Sequence, residues 1–581
     1  MARFRNDVAD SFSNLEGGMS SGLSPSIINQ NQVAYAVNAT VRGGFIRNRP
    51  KFMQFILNFQ GQSEAETYFS ANSVTGWSYY SPPSGQNMLV CCSGGRFFAF
   101  VLDGFNATVT EVTGDTRNST IASKTWFCQA AQYLVAQNGQ DLPWIFDGST
   151  GKRPADYNST MPTGRQMAYI NYRLFIVLPN GREIAPGDLA YASSTSVVQF
   201  TEINRPAVEG GQPLSIPIEN GYITALIASA QMDTQMGQGN LLVATEGTVC
   251  SINPIVRRLE WANITLQNVA LIGNGFLSQD CCLVNGDVWG RAVDGWRSFR
   301  MARSEFQSWG NTSQSFEIQR ILEKDSQNLL NYASYAYFDN RVIGTISPVV
   351  GKNGVGCYHR GMAVIDFQNI TSLAGNTPPS YDGLWTGIQP YGVFVGKFGG
   401  EQRCFAFCVQ QDGTNTLWEI TREYGNDNNE TRIPSLMETR SMNGSKSVIM
   451  KELQDGELWV DEMRGQVDFD VKWKPDQYPC WFDWVNFTEY AKDNNCADPY
   501  DAMGCQTPQT FQSQYRPRLV LGMPPSQTEP VLNRNARFSY EAQFRIAWTG
   551  QCRIRTGMFY WNQKSENPYP NSNVTPNQGI V

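Results

Sequence analysis

A short pattern that recurs three times constrains the fold of this 581-residue chain more than any other feature. In each copy a glycine turn is followed by seven residues and then by an Asp-Gly turn. The copies are SGGRFFAFVLDG (Ser93 to Gly104), QNGQDLPWIFDG (Gln137 to Gly148) and VNGDVWGRAVDG (Val284 to Gly295). Because Asn-Gly and Asp-Gly accept the positive φ angles of tight hairpin turns, each copy predicts one strand between two turns.

The spacing of these copies favours a β-propeller. The first two copies lie 44 residues apart and the third lies 147 residues further on, close to three such intervals. Asn180-Gly181 and Glu246-Gly247 mark turns at intermediate positions. A period in the forties with several strands per unit is typical of propeller blades. Stacked β-sandwiches are the alternative, although they give no reason for a constant offset, and the number of blades stays open at six or seven.

The composition agrees with an all-β chain. Aromatic residues make up 12%, and 52 glycines and 29 prolines indicate many short strands joined by tight turns. Two long amphipathic stretches, ELWVDEMRGQVDFDVKWKPD and ARFSYEAQFRIAWTGQCRIRTGMFYW, predict a second β domain. The Asn/Asp-rich segment EYGNDNNETRIP, which precedes them, is typical of a linker.

The predicted domain order follows from these segments. It is an extended N-terminal arm over 1–40, a β-propeller over 41–425, a linker over 426–434, a β-sandwich-like domain over 435–562 and a polar extended tail over 563–581.

The charge and the N-terminal segment restrict the function classes. A net charge of −7 argues against a protein that wraps nucleic acid tightly, since tight wrapping needs a dense Lys/Arg surface. No apolar run is long enough to predict a membrane span, and MARFRNDVADSF lacks the apolar core of a signal peptide. We therefore expect assembly in the cytoplasm, with most of the 13 cysteines reduced and buried.

The histidine and cysteine residues provide few candidates for a catalytic or metal site. The one histidine, His359, lies in GVGCYHRG near Cys357. A turn flanked by glycines is a simpler interpretation of this segment than a Cys/His site. Cys404 and Cys408 fall on one face of a predicted strand, so core packing is the simpler interpretation there. A second set, which a metal or a bridge could join, is spaced unevenly: Cys480, Cys496 and Cys505.

No catalytic motif emerges from the sequence. The acidic residues Asp461, Glu462, Asp468 and Asp470 alternate along strands, which is typical of a solvated face. Catalytic carboxylate pairs that are distant in sequence, as in propeller glycosidases, stay open. Neither a phosphate-binding GxxxxGK[ST] loop nor a GxGxxG turn after a strand is present. The sequence predicts no enzyme, no cofactor and no metal site.

A hairpin near the start of the chain carries a basic cluster. In VNATVRGGFIRNRPKF (Val37 to Phe52), Gly43-Gly44 form the turn. The basic residues could contact DNA or a neighbouring subunit, or they could be charges that protect a solvated hairpin edge from aggregation. They are Arg42, Arg47, Arg49 and Lys51.

The N-terminal run LEGGMSSGLSPSIINQNQVAYAVNATVRGGFIRNRPKF resembles the opening of bacteriophage tail-nozzle proteins of the tail tubular protein B type. In that family a Gly-Gly start leads to a polar stretch, an Asn-x-x-x-Arg-x-Gly motif and an Arg-Pro-Gly-Phe-like turn. Lys51 stands where glycine is common in the family. Looser matches, such as ASYAYFDNRVIGTISP and YDGLWTGIQP, extend the resemblance over most of residues 15–562. The matching positions are Gly17, Gly18, Pro25, Asn38, Arg42, Gly43, Arg49, Pro50 and Phe52.

The resemblance implies a structural virion protein at the distal tail of a short-tailed phage. Such proteins form homohexameric rings that make the DNA exit channel and gate. The implied partners are further copies of the chain, a tail adaptor protein, tail fibres, the phage genomic DNA in transit and the host surface. An acidic chain that lines such a channel would repel phosphate, so that DNA slides without sticking.

Two rival interpretations stay open. One is a carbohydrate-binding or depolymerising propeller of the virion, which would need clustered carboxylates and exposed Trp or Tyr at one mouth of the propeller. The other is a monomeric propeller that decorates the capsid or the base of a fibre.

Overall fold

The structure of the chain, a computed structural model, is almost entirely β, with 56% strand and 7% helix. No helix in the part of the chain that it describes is long and apolar enough to cross a membrane. The described residues are 7–83, 85–114, 117–153, 161–170, 173–192, 197–201, 214–228, 240–252, 267–270, 275–284, 287–298, 313, 315–368, 379–445, 448–490, 518–530 and 533–563.

The chain divides into two compact units. The first, called here the terminal unit, comprises Met1–Arg49, Asp366–Leu384 and Tyr424–Val581. The second, the propeller unit, comprises Pro50–Ile365 and Trp385–Glu423. The chain therefore passes from one unit to the other four times.

The terminal unit begins with short strands. Its first strand, which lies in the predicted N-terminal arm, is seven residues long and paired with the last strand of the chain. The amino-terminal strands are β1 (Asp7–Ser13), β2 (Gly18–Met19), β3 (Gln32–Val33), β4 (Tyr35–Val37), β5 (Ala39–Thr40) and β6 (Ile46–Asn48).

The propeller unit contains six small sheets arranged as blades of a β-propeller. Blade 1 is β9 (Val74–Tyr80), β10 (Met88–Ser93), β11 (Arg96–Asp103) and β12 (Asn106–Glu111), with β8 (Ile56–Asn58) parallel to β12. Blade 2 is β14 (Trp126–Ala130), β15 (Tyr133–Gln137), β16 (Trp144–Phe146) and β17 (Thr150–Lys152), with β13 (Thr113–Gly114) parallel to β17. Blade 3 is β18 (Met167–Ile170), β19 (Arg173–Val177), β20 (Glu183–Ala192), β21 (Val197–Thr201) and β22 (Leu214–Ser215).

The remaining three sheets contain fewer strands. Blade 4 is β23 (Ile223–Ala228), β24 (Leu241–Thr245), β25 (Val249–Ile252) and β26 (Gln267–Ala270). Blade 5 is β27 (Cys282–Val284), β28 (Asp287–Ala292) and β29 (Gly295–Ser298). Blade 6 is β34 (Pro390–Phe398), β35 (Glu401–Val409) and β36 (Asn415–Ile420), completed by β7 (Phe52–Gln54).

A further meander takes a place in the ring between blades 5 and 6. It consists of β30 (Tyr335–Phe338), β31 (Arg341–Val350) and β32 (Cys357–Asp366), and its first strand contacts both β27 and β34. It is not one of the six separate sheets, although its first strand borders the same central space as theirs. This arrangement explains why the sequence period fits either six or seven blades.

The ring is closed by a strand from the start of the unit. Strand β7 pairs antiparallel with β36, and Phe52 lies opposite Ile420. The early strand thereby becomes the outermost strand of the last blade. Apolar layers between neighbouring sheets form the core, as where Phe97 of blade 1 stacks on Trp144 of blade 2 with ring centroids 3.9 Å apart.

Within the described residues of the propeller unit, the helices are few and short. They are α1 (Ser63–Ala71) and α2 (Gln319–Leu322), with 3-10 turns at Ile218–Asn220, Phe316–Ile318, Gln327–Tyr332 and Lys352–Gly354.

The three copies of the sequence pattern do not occupy one equivalent position. In blades 1 and 2 they give the third strand, β11 and β16, but in blade 5 they give the second, β28. The strand in the second copy has only three residues, because the Asn138 side chain accepts bonds from the backbone N–H groups of Gln140 and Asp141 and so extends the turn. Asn-Gly and Asp-Gly turns suit the ends of any hairpin strand, so the third match reflects turn chemistry and not blade position.

The carboxyl-terminal part of the terminal unit forms a curled half-barrel sheet. Its two longest strands pair along most of their length, from Lys451 opposite Gln563 to Pro475 opposite Ala542, with several register shifts. Its later strands are β33 (Ser380–Trp385), β37 (Pro434–Glu438), β38 (Lys451–Pro475), β39 (Phe482–Tyr490), β40 (Arg518–Val520), β43 (Phe538–Ser539) and β44 (Ala542–Gln563). A separate two-stranded sheet is formed by β41 (Thr528–Glu529) and β42 (Arg534–Asn535).

This half-barrel differs from the predicted β-sandwich-like domain. Bulges increase the twist and bend a strand, so one long sheet can curl over its own apolar face instead of packing on a second sheet. On the apolar face Phe544 and Phe559 stack with ring centroids 3.6 Å apart. Residues 426–434, predicted as a linker, lie within the terminal unit, and the predicted tail beyond Gln563 lies outside the described residues.

Candidate functional site

A cavity of about 730 Å³ lies at the centre of the propeller unit. The first strands of the six blades and of the meander all contribute to its wall. In a propeller these innermost strands run beside the central axis, and the cavity is the space that they leave. The contributing strands are β9, β14, β18, β23, β27, β30 and β34.

Two aromatic side chains on β9 depend on glycines of β34. A Cβ atom added at Gly392 would lie 1.9 Å from the Trp77 ring, and one added at Gly396 would lie 2.8 Å from the Tyr79 ring. Real Cβ atoms do not approach other atoms so closely, so the glycines make room for the rings. Both rings are partly buried and border the cavity.

One ion pair supplies all the charge in the described part of the wall. Lys124 Nζ lies 2.9 Å from an Asp280 carboxylate oxygen and 4.8 Å from the centre of the Trp77 ring. The lysine side chain is 9% exposed and the aspartate side chain 30% exposed. Because the two charges cancel, the wall presents no net charge to a ligand.

The wall also carries polar groups without a hydrogen-bond partner. The Gln166 Nε2 group donates to the Thr224 carbonyl oxygen at 2.9 Å, whereas its Oε1 atom accepts nothing. The Tyr335 hydroxyl and the Trp126 indole N–H are also unpartnered. Burial raises the pKa of Tyr335 well above its usual value, so the phenol stays protonated.

His359 lies in a strand, and the prediction of a glycine-flanked turn is wrong. It is fully buried in β32, where its Nδ1 atom is 3.3 Å from the Pro390 carbonyl oxygen. Burial lowers its pKa to about 4, with the nearby Lys124 adding to the effect, so the ring is neutral near pH 7. Cys357, two residues earlier in the strand, is also buried, and burial raises its pKa to about 12.

Buried cysteines are packed as apolar groups. Cys404 and Cys408 lie on one face of β35 in the layer beside the meander, which confirms the predicted core role. Cys91 and Cys92 point into the apolar layers on the two faces of blade 1, as expected for neighbours in a strand. Burial raises the pKa of all four thiols, so none is a ready nucleophile.

The unevenly spaced set of Cys480, Cys496 and Cys505 is only partly within the described residues. Cys480 is exposed and not in a disulfide, whereas Cys496 and Cys505 lie outside the described part of the chain. Within the described part, no three His, Cys, Asp or Glu side chains are grouped as a metal site would require.

Two members of the basic cluster are paired with carboxylates of the terminal unit. Arg42 Nε lies 2.7 Å from Asp366, whose side chain is fully buried. Arg49 is 1% exposed and makes two parallel bonds to Asp427, at 2.9 and 2.7 Å, as well as one to Asn38. The Arg49 pair has the bidentate geometry in which arginine fixes backbone segments to each other.

The other two members are also paired. The Arg47 guanidinium lies 3.3 Å from the centre of the Tyr424 ring and 3.7 Å from a Glu462 carboxylate oxygen. Lys51, in the propeller unit, lies 2.7 Å from Glu423. The structure confirms the hairpin, since Ala39 and Thr40 pair with β6 across the Gly43-Gly44 turn. All four cations thus neutralise carboxylates, and a phosphate contact would have to compete with these pairs.

The alternating acidic residues of β38 are paired in the same manner. Asp461 and Glu462 both bind the Arg553 guanidinium, which also lies 4.3 Å from the centre of the Phe45 ring. Asp468 binds Arg432 at 2.7 Å, and hydrogen bonds from Gln466 and Thr488 lower its pKa to about 2. Asp470 lies 3.5 Å from Lys472.

Sequence reasoning missed the cavity because its wall is drawn from separate strands. Each first strand contributes only two to four of the lining residues, such as those of the Trp77-x-Tyr79 alternation of β9. The signal that could have found them is an aromatic residue in the first strand of successive blades. Recognising it requires knowing which strand is first, and the repeated turns do not reveal this.

Comparisons with known proteins identify no family. No protein-family model and no curated protein matches the chain. Among solved structures, it is similar to the extracellular domain of a hybrid two-component system of B. thetaiotaomicron, with 14% identity, a TM-score of 0.31 and coverage of 70% of this chain and 43% of that one. For the computationally designed protein Ika8 the identity is 12%, the TM-score 0.32 and the coverage 63% and 99%.

PorZ, a surface component of the type-IX secretion system of Porphyromonas gingivalis, shows 10% identity, a TM-score of 0.30 and coverage of 65% of this chain and 44% of that one. The chain thus spans less than half the length of two of these three proteins. None of the three is a phage tail protein, and likenesses at these TM-scores carry no functional argument.

Proposed function

We propose that this chain is a non-enzymatic structural protein of a short-tailed bacteriophage virion, which forms the distal tail ring around the DNA exit channel. Copies of the chain, six in the proposed ring, would contact an adaptor and tail fibres. The observation that carries the proposal is the resemblance of residues 17–52 to the opening of tail-nozzle proteins.

The roles of those residues support this proposal. Gly18 has a φ of 69°, and a Cβ atom there would lie 2.5 Å from the Tyr381 backbone. Arg42 and Arg49 hold Asp366 and Asp427, which come from much later in the chain. Three positions that the family shares therefore have structural roles in this chain.

The chain path favours a load-bearing component. The backbone passes four times between the two compact units, so separating them would strain several covalent connections at once. A part through which a genome is ejected under pressure needs such resistance to separation. The acidic net charge of −7 also suits a wall past which phosphate must slide.

The first test is the mass and shape of the purified chain. Mass photometry and negative-stain electron microscopy should give particles of about six times 65.0 kDa with a central pore. If rings need the adaptor protein, they should appear when adaptor rings are added. Monomers of 65.0 kDa that stay single with adaptor rings would contradict the proposal.

The second test places the chain in the virion. Gold-labelled antibodies against the purified chain should mark the distal end of the tail, and antibody absorbed beforehand with the same chain is the control. Label on the capsid or at the fibre base would instead support a monomeric decorating propeller. Hydrolysis of host polysaccharide by the purified chain would support the enzymatic alternative.

A further inference from the structure

We propose that the cavity at the centre of the propeller unit binds a neutral saccharide. This goes beyond the structural role proposed above, because it requires neither a ring nor a virion. The proposal rests on three properties of the cavity wall: its aromatic rings, its lack of net charge and its unpartnered hydrogen-bonding groups.

The aromatic rings come from several sides of the cavity. Trp77 and Tyr79 lie on β9, Trp126 on β14, Tyr169 on β18 and Tyr337 on β30, and all five are partly buried. Ligand sites are typically lined by aromatic side chains with a few convergent polar groups. The C–H faces of a sugar ring are apolar and of a size to pack against such rings, whereas its edges are hydroxylated.

The charge of the wall disfavours an anionic ligand. Lys124 and Asp280 are the only charged residues in the described part of the wall, and they neutralise each other. Phosphate, sulfate or nucleic acid would require a cation that is not already paired, since charge-assisted bonds provide most of their affinity. A neutral ligand leaves the pair intact.

Residues of the wall also carry unpartnered polar groups of both kinds, which suits a ligand that both donates and accepts hydrogen bonds. Gln166 and Tyr335 are each 5% exposed, and the Gln166 Oε1 atom and Tyr335 hydroxyl have no partner. The indole N–H of Trp126 is a donor that also has no partner. A buried polar group without a partner is unfavourable, and a hydroxyl group of a ligand can serve as its donor or as its acceptor. A ligand rich in hydroxyl groups is therefore the chemical class that fits.

The volume sets the length of the ligand. Small-molecule sites commonly enclose about 300–1,000 Å³. A cavity of about 730 Å³ accommodates a short oligosaccharide or a short segment of a longer chain.

The test begins with a glycan array that carries neutral and acidic oligosaccharides, probed with the full-length chain. We expect binding to neutral glycans, followed by calorimetric titration with the best of them. Trp126→Ala and, separately, Gln166→Ala should each weaken that binding at least tenfold. Trp459→Ala is the matched control, because Trp459 lies in the terminal unit and is 37% exposed. Two variants are used so that a misfolded one, identified by its melting temperature, does not decide the result.

Three results would overturn the proposal. They are no binding to any neutral glycan, binding confined to sulfated or phosphorylated glycans or to single-stranded DNA, and unchanged binding in both folded cavity variants. Comparing the affinity for the free oligosaccharide with the affinity for a polysaccharide of the same repeat distinguishes whether the ligand is a soluble sugar or a surface polymer. Mass photometry of the same samples reports ring formation separately, so failure of the binding proposal leaves the structural proposal standing, and the reverse.

Discussion

The neutral, buried His359 makes the stability of the propeller unit depend on pH. Burial lowers its pKa from 6.5 to about 4, whereas in the unfolded chain the ring titrates near 6.5. The unfolded state therefore binds more protons between these values, and stability falls as the pH drops from 6.5 towards 4. Across that window the loss should reach about 3 kcal/mol of unfolding free energy.

The measurement compares urea unfolding, followed by tryptophan fluorescence, in wild type and His359→Gln at several pH values. Carboxylates contribute to acid destabilisation in both proteins, so the difference between the two curves isolates the histidine. A pH dependence that is the same in both proteins would mean that the pKa of His359 does not differ between the folded and unfolded chain.

Arg49 offers a direct test of whether the basic hairpin residues are structural. Its side chain is 1% exposed and paired with Asp427, which is 16% exposed, so Arg49→Ala breaks a largely buried ion pair and should cost about 3–5 kcal/mol. Arg555, 65% exposed in the same unit, is the matched control, and Arg555→Ala should change stability by less than about 0.5 kcal/mol.

Urea unfolding measures the stability, and fluorescence anisotropy with a labelled duplex measures DNA binding. If Arg49 instead serves as a DNA contact, Arg49→Ala would keep wild-type stability while it weakens binding of the duplex.

At the scale of single residues, the sequence predicts burial better than partners. The core roles of Cys404 and Cys408 follow from their spacing on one strand face. The pairing of Arg49 with Asp427, 378 residues away, could not be predicted, because nothing local specifies which distant carboxylate meets a given arginine. The cavity wall escapes prediction for the same reason.

Among the strands, β7 has only three residues, yet it closes the propeller by pairing with β36. Phe52 is fully buried between blade 6 and the meander, with its ring 6.3 Å from that of Trp385. Phe52→Ala should cost about 3–5 kcal/mol, because it removes a large buried ring from the strand that closes the propeller. Ile56 in the neighbouring β8 is 69% exposed, so Ile56→Ala should have little effect.

Urea unfolding of both variants checks this prediction, and hydrogen exchange of β36 amides should rise in Phe52→Ala only. Equal stability of the two variants would mean that closure of the ring does not depend on β7.

The strands show which features turn-forming residues can predict and which they cannot. The glycine and Asp-Gly turns around β11 are read directly from sequence, since positive φ angles such as the 83° of Gly95 favour glycine. The partner of β7 could not be read in that manner, because a three-residue strand carries no signal for a strand that follows more than 360 residues later. One register shift of β38 has a local signal, since Gly465 lies there with a φ of 61°, but a glycine alone does not specify by how many residues the register moves.

At the scale of the whole chain, the order of segments predicts which fragments can fold. A fragment of residues 424–581 contains β37, β38 and β44 but lacks β1, β4 and β6, which pair with β37 or β44. With these edges unpaired and the aromatic face incompletely covered, we expect the fragment to be unfolded or aggregated. Circular dichroism and analytical ultracentrifugation check this.

A matched fragment tests the cause. Joining residues 1–49 to 424–581 through a flexible linker restores those three strands and should recover a cooperative melting transition. A fragment of 424–581 that already melts cooperatively as a soluble monomer would show that the amino-terminal strands are dispensable.

The pairing of β1 with β44 also sets a timetable for biosynthesis. Asp7 to Ser13 leave the ribosome first, yet their partners, Asn562 to Thr556, are among the last residues made. At about 5–20 residues per second, the first strand waits roughly half a minute to two minutes for its neighbour. The blades can form in sequence during that time, while the half-barrel can close only after synthesis is nearly complete. A chain cut short by a late stop codon would then keep its first strand unpaired and become a substrate for chaperones and proteases.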